Sequence, residues 1–280
     1  MIVVTGATGN VGRPLVRALA AAGEEVTAVS RQLPSSAHPL DGVRHVAADL
    51  TDPAGLTSVL DGAEALHLLI AGGSEHVDPH RVLDAAKSGG VRRVVLQSSQ
   101  IVGTRPGAAS HLHLAAFEDA VRRSGLGWTI LRPGGFHSNA FMWAESVRSH
   151  RTVAAPFPDT GLPAVDPADI AEVAALVLRD PAHAERTYEL TGPAPVSPRE
   201  QARAIGDAVG SPIRFVALSR DAARAELSRF MPEPVVDGTL GILGEPSPAE
   251  QRVSPAVEQL LRRPPRTFAD WAARNSAAFR

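Results

Sequence analysis

A run near the start of the chain, Thr5-Gly6-Ala7-Thr8-Gly9-Asn10-Val11-Gly12, has the residue types and spacing of an anion site. It follows an apolar stretch directly and opens a helix-length segment. Gly6 permits a sharp turn out of a strand, Gly9 lets the backbone approach a pyrophosphate, and Gly12 lets the helix pack close to the sheet. At a helix N-terminus, N–H groups without intrahelical partners and the helix dipole both favour negative charge. In this strand–turn–helix setting the glycines point to a dinucleotide, with Gly6, Thr8, Gly9, Asn10, Val11 and Gly12 around its phosphates.

The type of dinucleotide should be decided at the tip of the second strand. An acid there binds the ribose 2′-hydroxyl of NAD, whereas an arginine accommodates the 2′-phosphate of NADP. Val26-Thr27-Ala28-Val29-Ser30 ends in Arg31, with no acid at the tip. Arg31 can hold a phosphate with paired N–H donors, so NADP (NADPH) is favoured over NAD. Asp49 and Leu50, after the third strand, are placed to meet the adenine edge, although Asp49 equally suits a cap on the turn into Asp52-Pro53. Leu69 and Ala71, at the end of the fourth strand, complete the expected cofactor contacts.

Ser98 and Ser99 close the fifth strand, at the sheet end where ligands of open α/β folds bind. They are candidates to hydrogen-bond a carbonyl substrate or the nicotinamide, or they simply end the strand. His137 is another candidate for proton exchange. Around it, Phe136, Phe141, Met142 and Trp143 form either an apolar wall for a flat substrate or internal packing.

Composition removes several chemistries. The chain has no cysteine, one tyrosine (Tyr188) and one lysine (Lys87). Disulfides, thiol nucleophiles and thiolate metal sites are excluded, and no metal site is expected. At 280 residues, with 44% hydrophobic and 21% charged side chains, the sequence reads as a soluble globular protein of one or two domains. A net charge of -2 gives no long-range attraction to nucleic acid or an anionic membrane. No apolar run approaches the roughly 18 residues of a membrane span, and the start lacks a secretory signal pattern, so a cytoplasmic location is expected.

The elements that must position these residues alternate. Short apolar runs at Ile2 to Thr5, Glu25 to Ser30, Val43 to Ala47, Ala63 to Ala71, Val91 to Ser98 and Trp128 to Leu131 read as strands buried on both faces. Between them, helix-length segments at 11–22, 53–60, 78–88 and 110–124 stop at glycine or Asp-Gly, the expected C-terminal signal. The expected fold is α/β, a doubly wound parallel sheet with right-handed crossovers and a smaller, mostly helical C-terminal lobe. The expected division is a dinucleotide-binding core over 1–134 and a substrate lobe over 135–280. Residues 165–192, with a helix starting at Asp166-Pro167-Ala168-Asp169 and a strand at Thr187 to Leu190, return to the core.

With Thr-Gly-Ala-Thr-Gly-Asn-Val-Gly at residues 5–12, Ser98-Ser99, and Ser124-Gly125-Leu126-Gly127-Trp128-Thr129-Ile130-Leu131-Arg132-Pro133-Gly134, the chain resembles the NmrA-like atypical short-chain dehydrogenase/reductases. The similarity extends through Asp166 to Ala171, Tyr188 to Pro193 and Pro264 to Trp271, nearly the whole length. It implies a dinucleotide-binding Rossmann fold. It leaves the activity open among NADPH-dependent quinone and ketone reductases, reductases and isomerases of specialised metabolism, and redox-sensing regulators.

Catalytic members of the wider superfamily carry Tyr-x-x-x-Lys on the helix after the fifth strand. Anchored on Glu118, that pattern falls on Ser110 and Leu114, so both functional groups are missing. His111 and His113 flank the same arc of the helix, and either can exchange a proton near neutral pH. The leading expectation is an NADPH-dependent oxidoreductase acting on a quinone or an aromatic or polyketide-like carbonyl between the lobes, with His113, His111, Ser98 and Ser99 as candidate catalytic residues. Its partner is then a small molecule, with neither nucleic acid nor membrane bound directly. The competing expectations are a non-catalytic NADP sensor working through a protein partner and a cyclase, dehydratase or isomerase using a helix histidine.

Overall fold

The structure is a computed structural model that describes residues 1–33, 40–70 and 76–280. Its first part runs β1 (Ile2–Thr5), α1 (Gly12–Ala21), β2 (Val26–Ser30), β3 (Val43–Ala47), α2 (Pro53–Leu60), β4 (Ala65–Leu69), α3 (Pro79–Ser88) and β5 (Arg93–Gln97). Then come α4 (Gln100–Thr104), α5 (Leu112–Arg123), β6 (Gly127–Pro133), α6 (Ala144–His150), β7 (Thr152–Pro156), α7 (Pro167–Arg179) and β8 (Arg186–Leu190). The chain ends with α8 (Pro198–Val209), β9 (Arg214–Leu218), α9 (Arg220–Leu227), α10 (Glu233–Gly244), α11 (Pro248–Gln251), α12 (Ala256–Leu261) and α13 (Phe268–Arg274).

Two compact units emerge. The first holds residues 1–102, 112–133 and 167–189; the second holds 103–111, 134–166 and 190–280. Residues 103–111 group with the C-terminal segments, and the chain then re-enters the first unit at α5.

In the first unit the sheet order is β3-β2-β1-β4-β5-β6-β8, with β1 to β6 parallel. Strand order reverses between β1 and β4. That reversal opens a crevice at the carboxyl ends of the strands, the usual ligand position in such sheets. Strands β1 and β2 are buried throughout, in keeping with sequences that are mostly apolar rather than alternating. Leu66, Leu68, Val94, Leu96 and Ile130 face one side of the sheet, in a core shared with Leu56, Val82, Leu83 and Phe117. α7 packs on the strands' other side together with α1. Each fully buried leucine there stabilises the fold by roughly 1.5–3 kcal/mol.

The second unit is built from α6, α8 to α13 and a short parallel pair, β7 with β9. Three of its helices begin with reciprocal capping boxes: Ser197 with Glu200, Ser247 with Glu250, and Thr267 with Asp270. Each satisfies two N–H groups that the helix itself cannot. The β7–β9 pair was not expected from sequence. Its core gathers Trp143, Val147, Val153, Ile205, Phe268, Trp271 and Phe279.

Candidate functional site

The glycine loop sits in the crevice between β1 and β4. Thr5 ties the two strands at this point: its hydroxyl donates to the His67 carbonyl at 3.1 Å and accepts the Leu69 N–H at 2.8 Å. Gly6 has φ +66°, and a Cβ there would stand 2.4 Å from the Leu69 side chain. Leu69 thus packs beneath the loop. Gly9 closes the turn by donating to the Gly6 carbonyl at 2.9 Å. A Cβ on Gly12 would lie 2.1 Å from the Gly6 carbonyl oxygen, so no side chain fits without opening the loop.

α1 then starts at Val11 without a side-chain cap and without an acid in its first turn. Neither a neighbouring oxygen nor a carboxylate competes with a phosphate for the helix N-terminus. Thr8 is half-buried, while Gly9 and Asn10 are exposed on the rim. These features fit the pyrophosphate of a dinucleotide, held by the backbone of residues 8–12.

Arg31 ends β2 and is exposed. Asp49 accepts hydrogen bonds from both the N–H and the hydroxyl of Thr51, each at 2.9 Å. Those two donors, and more weakly the charge of Arg31, hold its carboxyl below the usual range. The Asp49 side chain is therefore a turn cap with Arg31 in its field. Leu50 is half-buried and packs on the core. Ala71 lies outside the described residues.

On the other side of the crevice, the two serines have structural partners. Ser98 is buried, its N–H donates to the Leu131 carbonyl at 2.8 Å, and its hydroxyl donates to Glu118 Oε1 at 2.6 Å. With its proton so committed, Ser98 cannot also donate to a substrate carbonyl. The Ser99 hydroxyl accepts the Ile101 N–H at 3.2 Å, at the start of α4. Of their two expected roles, ending the strand is the one these contacts serve.

Glu118 is the centre of this side. It is 1% exposed, yet its carboxylate also receives Arg132 through Nε at 2.9 Å and Nη2 at 2.6 Å, and Arg122 at 2.8 Å. Burial raises its pKa, but the hydrogen bonds from Arg132 and Ser98 and the arginine charge outweigh that and leave it lowered. Arg122 in turn lies over the Trp128 ring at 5.5 Å. In the sequence Glu118 served only to set the register of the missing dyad. A glutamate on the apolar face of α5, beside Phe117 and Val121, was the available signal.

The histidines separate. His113, in the first turn of α5, is half-buried in the first unit. His111 belongs to the second unit, where its Nδ1 lies 2.9 Å from the Ser110 hydroxyl. His137 is 2% exposed and packed edge-on against Phe268, with ring centres 5.2 Å apart, which makes it a core residue. Phe141 packs on Trp271 and Phe279 and Trp143 is buried, whereas Met142 is exposed. Of the segment considered as an apolar wall, most is internal packing.

Another histidine escaped notice. His67, on β4, is fully buried beside Thr5 and Gln97, and burial lowers its pKa to about 4.

Neither side chain of a Tyr and Lys pair is available from elsewhere. The Tyr188 hydroxyl lies 2.8 Å from His183 Nδ1, and burial raises its pKa. Lys87 pairs with Asp84 at 2.9 Å near the end of α3. Among the described residues, no group of His, Cys, Asp or Glu could hold a metal ion, and no helix is long and apolar enough to cross a membrane.

A sequence profile of NAD(P)H-binding proteins matches residues 6–181, which includes the three loop glycines and the Glu118 cluster. The chain belongs to this NAD(P)H-binding family. Within it, the protein is an NmrA-like atypical short-chain dehydrogenase/reductase. It is similar to the (4-alkanoyl-5-oxo-2,5-dihydrofuran-3-yl)methyl phosphate reductase of Streptomyces griseus, 37% identical over 100% of this chain and 99% of that one. The NAD(P)H azoreductase of Xenophilus azovorans is 31% identical over 100% of this chain and 99% of its own length. The crystal structure of an Escherichia coli NADPH-dependent quinone oxidoreductase in complex with NADPH superimposes with a TM-score of 0.82 at 26% identity, covering 98% of this chain and 99% of that one. All three of these similar proteins are named as reductases or oxidoreductases.

Proposed function

We propose that the protein uses NADPH to reduce conjugated acceptors, meaning quinones or polyketide-like unsaturated carbonyl compounds in which a double bond is activated by one or more carbonyl groups. The observation that carries this reading is an intact dinucleotide loop in a chain that has Ser110 and Leu114 where an acid and its lysine would stand. When bound, the cofactor supplies a hydride. A simple ketone receiving a hydride becomes a strongly basic alkoxide, so it needs a proton donor in the transition state. A conjugated acceptor spreads the same electron pair over an extended oxygen-bearing system, and water can complete the reduction by adding the proton. The oxo-dihydrofuran phosphate reductase and the quinone oxidoreductase among its relatives are named for acceptors of this kind, and the azoreductase for another conjugated one, an N=N bond.

The chain's own residues then bind and orient. Residues 8–12 hold the pyrophosphate and Arg31 holds the 2′-phosphate, which favours NADPH. Strand order carries the adenosine toward β2 and the nicotinamide across the reversal, toward the carboxyl ends of β4 and β5. His113 and His111 are assigned to proton exchange with solvent, and Ser98 and Ser99 to shaping the turn after β5.

The test is NADPH oxidation by the purified protein across three panels: quinones, acyl-substituted butenolides and simple ketones. Turnover confined to the conjugated panels is expected. Efficient reduction of simple ketones, or NADPH binding with no turnover in any panel, would reject the reading.

A further inference from the structure

The buried Glu118 cluster joins three separate stretches of chain at the crevice side opposite Arg31. Ser98 comes from the turn after β5, Glu118 and Arg122 from α5, and Arg132 from the end of β6. Four side-chain hydrogen bonds converge on one carboxylate that solvent barely reaches. The Ser98 N–H bond to the Leu131 carbonyl fastens the same corner through the backbone. Ser99 then starts α4 by accepting from Ile101.

Fixing a buried charge this thoroughly sets the separation between the β5–α4 turn and α5, the element that carries His113. By the strand-order argument this is the corner on the nicotinamide side of the reversal, some distance along the crevice from the phosphate loop. The loop supplies the backbone N–H groups that hold the dinucleotide. In the cluster the Ser98 hydroxyl, Arg132 Nε and Nη2 and one Arg122 nitrogen are spent on Glu118, and a second Arg122 nitrogen lies 4.0 Å from Asp119. Each part therefore has its own consequence for a bound dinucleotide: the loop governs whether it stays, and the corner governs how still its reactive end is held.

We propose that Ser98, Glu118 and Arg132 are positioning residues for hydride transfer, which hold the nicotinamide end of the site rigid without contributing appreciably to affinity. The inference rests on the reading of the protein as an NADPH-dependent reductase of conjugated acceptors.

The test compares wild type with Ser98→Ala and Glu118→Gln. NADPH affinity is measured by fluorescence titration, the lifetime and anisotropy of bound NADPH report on mobility of the reduced ring, and kcat is measured with a quinone. Expected for Ser98→Ala are an NADPH Kd within about threefold of wild type, a shorter lifetime with lower anisotropy, and a kcat about tenfold lower; orienting groups can carry effects of this size or larger. Glu118→Gln should move the same readouts further. If it does not fold, Ser98→Ala decides alone, with Ser98→Thr expected to restore lifetime and kcat by returning the hydroxyl. Unchanged lifetime and kcat in folded Ser98→Ala, or losses of Kd and kcat in parallel, would overturn the proposal while leaving the acceptor reading intact. If wild type binds NADPH without reducing any acceptor, the acceptor reading fails first and the proposal with it.

Discussion

The two sides of the crevice are built by different physics. On the β1–α1 side the functional groups are backbone N–H donors, and the side chains there matter mainly by being absent: Gly6 and Gly12 leave space that a Cβ would fill. On the β5–α5 side the groups are one hydroxyl and two guanidinium groups, from Ser98, Arg122 and Arg132, brought together around the buried Glu118 carboxylate. A backbone cradle is local, so its geometry is set by a single short segment. A charge cluster is assembled by the fold, and any one member is costly without the others.

That contrast can be broken first at Gly12. Gly12→Ala places a Cβ 2.1 Å from the Gly6 carbonyl oxygen, and NADPH binding should fall more than a hundredfold in a titration, with turnover lost in proportion. Binding within tenfold of wild type would mean that the loop is not a backbone cradle.

The β1–β4 junction beneath the loop provides a second handle. His67 has a folded-state pKa of about 4 against an ordinary 6.5, so the unfolded chain binds the proton more readily between those values. Stability from its neutral, buried form is complete above pH 6.5 and is lost as pH falls toward 4. The slope is about 1.4 kcal/mol per pH unit, roughly 3 kcal/mol across the window. Urea unfolding of wild type and His67→Leu at pH 7 and pH 4.5 should show this slope in wild type alone; parallel curves would remove His67 as its source.

Arg31 sharpens the contrast within the nucleotide side, because it is an exposed side chain in a region otherwise built from backbone. Losing one charge-assisted contact of about 1.5–3 kcal/mol should raise the KM for NADPH at least tenfold in Arg31→Ala and leave that for NADH within twofold. Equal changes for both cofactors would place the 2′-phosphate elsewhere.

The smallest effect is expected at the histidines. An acid acting in the transition state is worth about a hundredfold or more. A His111→Ala, His113→Ala double variant should keep quinone reduction within about tenfold of wild type, since conjugated acceptors do not need that help. A hundredfold loss in kcat would make one of them a true general acid.

What could be read in the sequence follows the same division. The glycine turn between β1 and α1 and the buried strands were legible because a glycine triplet after a mostly apolar run is a local pattern. The missing Tyr and Lys were equally plain, since absence needs no folding to be seen. Ser98 was visible but its partner was not: nothing in linear spacing says that its proton goes to a carboxylate on α5. Leu69 was expected near the cofactor, and it is placed beneath Gly6 as packing. The β7–β9 pair stayed hidden because both strands are only partly buried and they pair across a long sequence separation. The surroundings of His137 stayed hidden for a related reason, since its aromatic neighbours Phe268 and Trp271 come from α13 at the far end of the chain.

The Glu118 cluster also constrains how this sequence can change over generations. Replacing Arg132 alone removes one of the two counter-charges of a buried carboxylate, and replacing Glu118 alone leaves two partly buried guanidinium groups without the carboxylate they share. Breaking such a pair from one side costs about 3–5 kcal/mol, a large share of the stability of an ordinary domain. No single substitution at either position leads gently away from the present arrangement. Descendants of this chain should keep Glu118 and Arg132 together or lose them together, and a lineage that has lost both will have rebuilt this corner of the crevice by other means.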